Sequence, residues 1–149
     1  MKLRTPFAVM GLCCDEGGIL SLHYLPLKTA ELPPQNMLAQ EVAKQIKFYL
    51  NKPKHLFDLF LYPADTPHRR KVREAVSAVK SGGTATYLDI ARKVGSSPRA
   101  VGGACRENNV PLFVPCHRIV AVGGLGGFMG GNGKHRLDIK RWLLKHESV

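Results

Sequence analysis

"TYLDIARKVGSSPRAVGGACRENN", residues 86–109, decides the fold. Thr86 and Asp89 stand three apart ahead of an apolar run, the spacing at which a hydroxyl and a carboxylate reciprocally cap the first turn of a helix. That helix stops at Gly95, a residue that enters the left-handed conformation without a Cβ clash. Ser97 then offers a second cap, and Pro98 suits the first turn of a new helix, where its missing N–H is not needed. Two short helices joined by a tight glycine-containing turn form a helix-turn-helix signature, whose second helix meets nucleic acid. That second helix carries Ala100, Gly102, Gly103 and Ala104. Each glycine costs a helix about 1 kcal/mol against alanine, so this face suits either close packing in a core or close approach to an outside surface. Arg99 at the helix start and Arg106 near its end favour a nucleic-acid groove.

The charge distribution points the same way. Of the net +11, residues 1–65 carry 7 basic and 6 acidic side chains, whereas residues 66–149 carry 15 basic and 5 acidic ones. A basic half beside a neutral half predicts a polyanionic partner for the basic half. With 149 residues, 44% hydrophobic and 22% charged, the chain is globular and long enough for one domain or two small ones. No apolar run approaches the ~18–20 residues that span a bilayer. The start "MKLRTPFAVMGLCC" lacks the length and cleavage site of a signal peptide, so a cytoplasmic location and no membrane partner are expected. Cys13, Cys14, Cys105 and Cys116 make no regular disulfide framework and no C-x-x-C zinc pair. Reduced thiols are expected, with Cys13, Cys14 and His23 as a poorly spaced metal set.

The expected fold class is α/β (α+β), in two domains. Residues 1–65 read as a small α/β supporting domain: "FAVMGLCC" and "ILSLHYLP" are strands joined by a "DEGG" hairpin. "MLAQEVAKQIKFYL" sets Leu38, Val42 and Ile46 at helical spacing, and "LFDLFLYP" alternates Phe57, Leu59 and Leu61 as a further strand. Residues 66–149 read as a helical, winged-helix-like domain with the helix-turn-helix. Its first helix opens at Thr66-Pro67 and carries Val72, Ala75, Val76 and Val79.

"VPCHRIV", residues 114–120, places a thiol, an imidazole and a guanidinium in what reads as a buried strand. Cys116 is either a small core hydrophobe or a nucleophile. A thiol near pKa 8.5 needs a base or a positive environment to react at neutral pH. His117 is adjacent, but neighbours on a strand point to opposite faces, so a bridging water or a local bend is expected between the two. The acid that would orient His117 is Glu147, at the end of "HRLDIKRWLLKHE". That helix puts Ile139, Trp142, Leu143 and His146 on one side, leaving its Lys and Arg for solvent. Asp89, Glu107 and Asp138 read as helix-surface acids. Between strand and helix lie seven glycines in residues 123–133, a loop without the Lys-Ser/Thr ending of a phosphate loop.

"TATYLDIARKVG", "SPRAVGGACRENNVP", "VPCHRIV" and "KRWLLKHE", in that order, resemble the O6-alkylguanine-DNA alkyltransferases over residues 66–147. The resemblance implies a monomeric protein, with or without cooperativity on DNA, that binds duplex DNA containing O6-alkylguanine. It implies repair of that base, and of O4-alkylthymine, by flipping and irreversible single transfer to Cys116, with no metal or cofactor. It assigns Arg99 to the gap left by the flipped base, and Ala100, Gly102, Gly103 and Arg106 to the minor-groove face. Tyr87 lies by the base and flanking phosphate and donates a proton to the departing guanine. Asn108 braces the nucleophile's segment, and His117 with Glu147 forms the water-linked base. Pro111, Phe128 and Met129 line the alkyl pocket.

Departures from the family pattern are His68, Arg69 and Arg73 where an aromatic-containing helix is usual, Phe128-Met129 in the glycine loop, and Asn109 in place of proline. A non-enzymatic alkyltransferase-like binder and a winged-helix regulator share the DNA-binding features, but neither needs Cys116. The charge asymmetry predicts that affinity for duplex DNA falls steeply with salt, by about 0.9 in log K per neutralised phosphate and log unit of salt. Titrations at several salt concentrations check this, and a flat response would move DNA binding off the basic half.

Overall fold

The structure, a computed structural model, describes residues 1–128 and 134–148. The chain forms two compact units, Met1–Tyr62 and Pro63–Val149. In the first, β1 (Lys2–Arg4), β2 (Val9–Cys14) and β3 (Ile19–Leu25) form an antiparallel sheet in sequence order. The β2–β3 hairpin turns where the sequence predicts: the Asp15 carboxylate accepts the N–H groups of Gly17 at 2.8 Å and Gly18 at 3.1 Å. α1 (Met37–Asn51) starts at Asn36, whose side chain accepts the Ala39 N–H at 2.8 Å. Its buried face is Ala39, Val42, Ala43, Gln45, Ile46 and Tyr49, with Leu38 half-buried.

Two readings of this unit change. β1 was not anticipated, since three residues are too few to show a period. "LFDLFLYP" is not a strand: it keeps its alternation, with Phe57, Leu59 and Leu61 half-buried, but meets the sheet through one parallel bridge, Ile19 to Leu61. Two backbone bonds, Ile19 N–H to Phe60 at 2.9 Å and Tyr62 N–H to Ile19 at 3.2 Å, hold it. Cys13 and Cys14 are consecutive on β2, with a shift of register against β3 between them. They do not join His23 in a group of three metal-ligating side chains among the described residues.

The second unit follows its caps. α2 (Pro67–Ser77) begins at Thr66, whose hydroxyl accepts the Arg69 N–H at 3.1 Å, and buries Val72 and Val76. α3 (Tyr87–Val94) opens on the complete capping box: Asp89 N–H to the Thr86 hydroxyl at 3.0 Å, Thr86 N–H to the Asp89 carboxylate at 2.9 Å. Gly95 ends it at φ 67°, ψ 42°. α4 (Pro98–Arg106) follows after Ser97, which caps the Ala100 N–H at 3.1 Å. Val101 is its one fully inward residue, and Ile90, Ala91, Val110, Leu112 and Val114 share the core. Two two-residue strands, β4 (Ala85–Thr86) and β5 (Ile119–Val120), pair in parallel. This pairing fixes Tyr87, the first residue of α3, close to the segment that follows Cys116. α5 (Lys134–Glu147) closes the unit with Ile139 and Leu143 buried. No helix among the described residues is long and apolar enough to cross a membrane.

A Cβ at Gly95 would meet nothing within 4 Å, so its only obstacle is the positive φ. Gly95→Ala is expected to destabilise the protein by about 1–2 kcal/mol, the cost of the left-handed region for an L-residue. Gly95→Asn should lose less. Urea denaturation of the three proteins checks this order.

Candidate active site

The site is built on a bend that the sequence disguises. "VPCHRIV" was expected as a strand, but only Ile119 and Val120 are one, and Cys116–Arg118 forms a single turn of 3-10 helix. Pro115 is the cause. It has no N–H to give a ladder, and at φ −81°, ψ 62° it turns the chain tightly, so that the Cys116 N–H bonds Val114 O at 2.8 Å. The Arg118 N–H then bonds Pro115 O at 3.0 Å. In such a turn successive side chains no longer oppose each other, so Cys116 and His117 escape the strand alternation. Leu112, just upstream, holds φ 75° while buried, a strained conformation that packing must maintain.

Asn108 braces this bend. Its amide N–H₂ donates to Val114 O at 3.0 Å and to Cys116 Sγ at 3.2 Å, and its Oδ1 accepts the Val110 N–H at 3.1 Å. One side chain thereby ties the end of α4 to Cys116. On the other side, His117 Nε2 lies 2.8 Å from Glu147 Oε2, with both side chains essentially fully buried. His117 Nδ1 has no hydrogen-bond partner among the described residues.

Burial dominates the proton affinities. It pushes the Cys116 thiol up, against the Asn108 hydrogen bond and the Lys140 charge, which lower it. It pushes His117 down, against the hydrogen bond and charge of Glu147. Tyr87 is pushed up to about 12, first by burial and then by the Cys105 and Cys116 thiols. At rest the site therefore holds a thiol, a neutral imidazole and a protonated phenol. Proton transfer from Cys116 to His117 would turn the first two into an ion pair without changing the net charge.

Three residues reached the site without being assigned to it by the sequence. Arg118 donates from Nε and Nη2 to both Glu147 oxygens, at 2.8 and 3.0 Å, and from Nη1 to Val79 O at 2.7 Å. Lys140 was expected in solvent, yet it is 0% exposed. Its Nζ donates to Ile119 O at 2.7 Å and Gly127 O at 2.8 Å, and burial lowers its pKa to about 8. The signal was present: Lys140, Leu143 and Glu147 recur at helical spacing and share the inner face. Cys105 lines a cavity of about 310 Å³ together with Cys116, Asn108, Val76 and Val114, and burial first raises its pKa to about 12.

The remaining expected residues fall into two groups. Arg99, Ala100, Gly103 and Arg106 are exposed on α4 and Gly102 is half-exposed. A Cβ at either glycine would meet nothing within 4 Å, so neither serves close packing within the protein. Tyr87, Pro111 and Phe128 lie on or inside the unit, but none of them lines the cavity. The Tyr87 hydroxyl points at Gly127 O, 3.5 Å away. Gly126, at φ 73°, crosses the Tyr87 ring so closely that a Cβ there would come within 3.1 Å of it. Met129 lies outside the described residues.

Residues 67–149 match the family described as 6-O-methylguanine DNA methyltransferase, DNA binding domain. Over 96% of its length the chain is 34% identical to a methylated-DNA--protein-cysteine methyltransferase of Metallosphaera sedula, covering 88% of that protein. It is 32% identical to the protein of the same name in Sulfolobus acidocaldarius, over 98% of the chain and 90% of the relative. Among solved structures, an O6-methylguanine DNA methyltransferase from Methanococcus jannaschii superposes with a TM-score of 0.72 at 28% identity, covering 100% of this chain and 93% of that one. The fold is also that of a Mycobacterium tuberculosis structure solved with DNA, at TM-score 0.77 and 24% identity, over 99% of this chain and 91% of that one.

Asn108→Ala removes the amide hydrogen bond to Cys116 Sγ, leaves the Val110 N–H unpaired and leaves the Val114 carbonyl with the Cys116 N–H alone. The thiol should become harder to ionise, so the pH profile of Cys116 labelling by iodoacetamide, read by peptide mass mapping, moves to higher pH. Stability should fall by about 1–3 kcal/mol, the cost of orphaned buried groups. An unmoved profile would remove Asn108 from the control of the thiol.

Proposed function

The chain belongs to the 6-O-methylguanine DNA methyltransferase family, and from that premise we propose that it repairs O6-alkylguanine in DNA by moving the alkyl group onto its own Cys116. The observation that carries the choice of acceptor is the pairing of a buried thiol, held by Asn108, with a neighbouring imidazole already engaged by a buried carboxylate. Duplex DNA binds along the exposed Ala100–Gly103 face of α4, where small residues let a groove approach the helix backbone and Arg99 and Arg106 meet the polyanion. Arg99 enters the stack in place of the flipped base, which must leave the duplex because its alkyl carbon is unreachable inside it.

In the reaction, the Cys116 proton passes through a water to His117 Nδ1, and Glu147 steadies the imidazolium. The thiolate attacks the alkyl carbon, a C–S bond forms and the C–O6 bond breaks. Tyr87, kept protonated by burial, supplies the proton that the departing guanine takes up. The product is a thioether, so each molecule acts once. O4-alkylthymine offers the same bond to the same nucleophile. The protein acts in the cell interior as a monomer, and Pro111, Phe128 and Met129 bound the alkyl group.

Incubation with an O6-methylguanine duplex should add one methyl mass to the peptide containing Cys116, with one transfer per chain. Cys116→Ser should abolish transfer while retaining DNA affinity, because a hydroxyl is nearly isosteric but far less acidic. Transfer by the serine variant, or methyl mass on another cysteine, would overturn the assignment.

A further inference from the structure

Glu147 carries a heavier load than a carboxylate that simply orients a histidine. Its Oε2 accepts from His117 Nε2 at 2.8 Å and from Arg118 Nη2 at 3.0 Å, while its Oε1 accepts from Arg118 Nε at 2.8 Å. The pair is buried, with the Arg118 side chain 12% exposed and Glu147 1%. A carboxylate in so dry a place needs a cation, and its bonds include two candidates: the guanidinium, which is always charged, and the imidazole, which is charged only if it takes a proton.

We propose that Arg118 is a positioning residue that, by holding both oxygens of Glu147, satisfies the carboxylate's charge and leaves His117 neutral to accept the Cys116 proton. The inference rests on the reading above, in which His117 is the base. Without the guanidinium, the buried carboxylate would be balanced by protonating its other partner. An imidazolium at rest cannot accept the thiol proton, and the nucleophile would lose its base. With Arg118 in place, an imidazolium at rest would add a positive charge beside one that already balances the carboxylate.

The surroundings fit this role. The charged and titratable groups about the imidazole are Glu147 and Lys140 from α5, and Arg118 and Cys116 from its own turn. Tyr87 of α3 and Cys105 of α4 lie one step further out, where the Cys116 charge raises the proton affinity of both. Burial is the largest influence lowering the proton affinity of His117; the Arg118 and Lys140 charges also lower it, and Glu147 raises it. The third Arg118 bond, Nη1 to Val79 O at 2.7 Å, fixes the guanidinium so that it faces the carboxylate squarely. A purely structural brace would use the same bonds, so the test must read charge rather than stability.

Two measurements on the full-length protein do so. In the wild type, ¹⁵N NMR of the His117 ring at neutral pH should show a neutral imidazole with the proton on Nε2 and none on Nδ1; an imidazolium there overturns the proposal. In single-turnover transfer from an O6-methylguanine duplex, Arg118→Gln should be slowed about tenfold at about pH 6.5 and approach the wild-type rate at about pH 9. This is the signature of an acid limb raised from below the lower of these pH values to about one unit above it, since the base works only above its own pKa. Arg118→Lys, which keeps the charge, should recover most of the acid-side rate. A loss of equal size at every pH, shared by Gln and Lys, would make Arg118 a brace and overturn the proposal. Should Arg118→Gln fail to fold, the wild-type NMR result and the Lys variant decide. Absence of transfer by the wild type would overturn the alkyltransfer reading instead, and the NMR result still reports whether His117 rests neutral.

Discussion

One buried carboxylate organises the second unit. Glu147, at the last turn of α5, is the common partner of His117 and Arg118, and through Arg118 Nη1 the same cluster reaches Val79, just beyond the end of α2. Removing one member of such a cluster exposes the others to the full cost of an unpaired buried charge, about 3–5 kcal/mol. The cluster thus locks the 3-10 turn that carries Cys116 against α5. The apolar contacts of Ile119, Ile139 and Leu143 fill the same region, but they are non-directional and cannot by themselves set the orientation of an imidazole.

Three separate elements converge on Cys116 because each is closed by a specific polar bond. Asn108 brings the end of α4, Glu147 the end of α5, and the β4–β5 pairing brings Tyr87 at the start of α3. Lys140 adds a fourth tie: by donating to Ile119 O and Gly127 O it joins the strand after the nucleophile to the glycine-rich segment. Gly127 O also faces the Tyr87 hydroxyl, so loop, phenol and amine share one carbonyl. The outer face of α4 contrasts with this crowded interior. A Cβ at either of its glycines would meet nothing within 4 Å among the described residues, and its arginines are exposed. Helix propensity is low there with no gain of packing inside the unit, and the backbone is left bare.

What was legible in the sequence was local chemistry. Thr86 with Asp89, Gly95, Ser97 and Thr66 announce helix boundaries through bonds made within a few residues, and the structure forms each one. The pairing of Glu147 with His117 was also readable, because a buried imidazole needs an acid and the closing helix offered one. The bend at Pro115 was readable only as one of two ways to bring Cys116 and His117 together, because a run of β-branched and apolar residues around a cysteine carries the same pattern as a strand. Residues 56–63 misled in the same way: alternation reports which side is covered, not whether a neighbouring ladder exists. Lys140 was misjudged because composition assigns lysine to solvent, whereas two carbonyls thirteen and twenty-one residues away satisfy its ammonium. The role of Arg118 was hidden for a related reason, since its partners lie at Glu147 and Val79.

The electrostatics explain how one site can be both inert and reactive. A permanently ionised thiolate would be open to any electrophile, and a thiol consumed once cannot be spent at random. Here burial holds the thiol and the imidazole neutral. Charging either alone in this interior is expensive, because the medium cannot solvate the new ion. Moving a proton from one to the other creates two opposite charges on adjacent residues, with Glu147 already beside the imidazole and the Lys140 charge favouring the thiolate. The net charge of the cluster is unchanged, so much of the solvation penalty cancels.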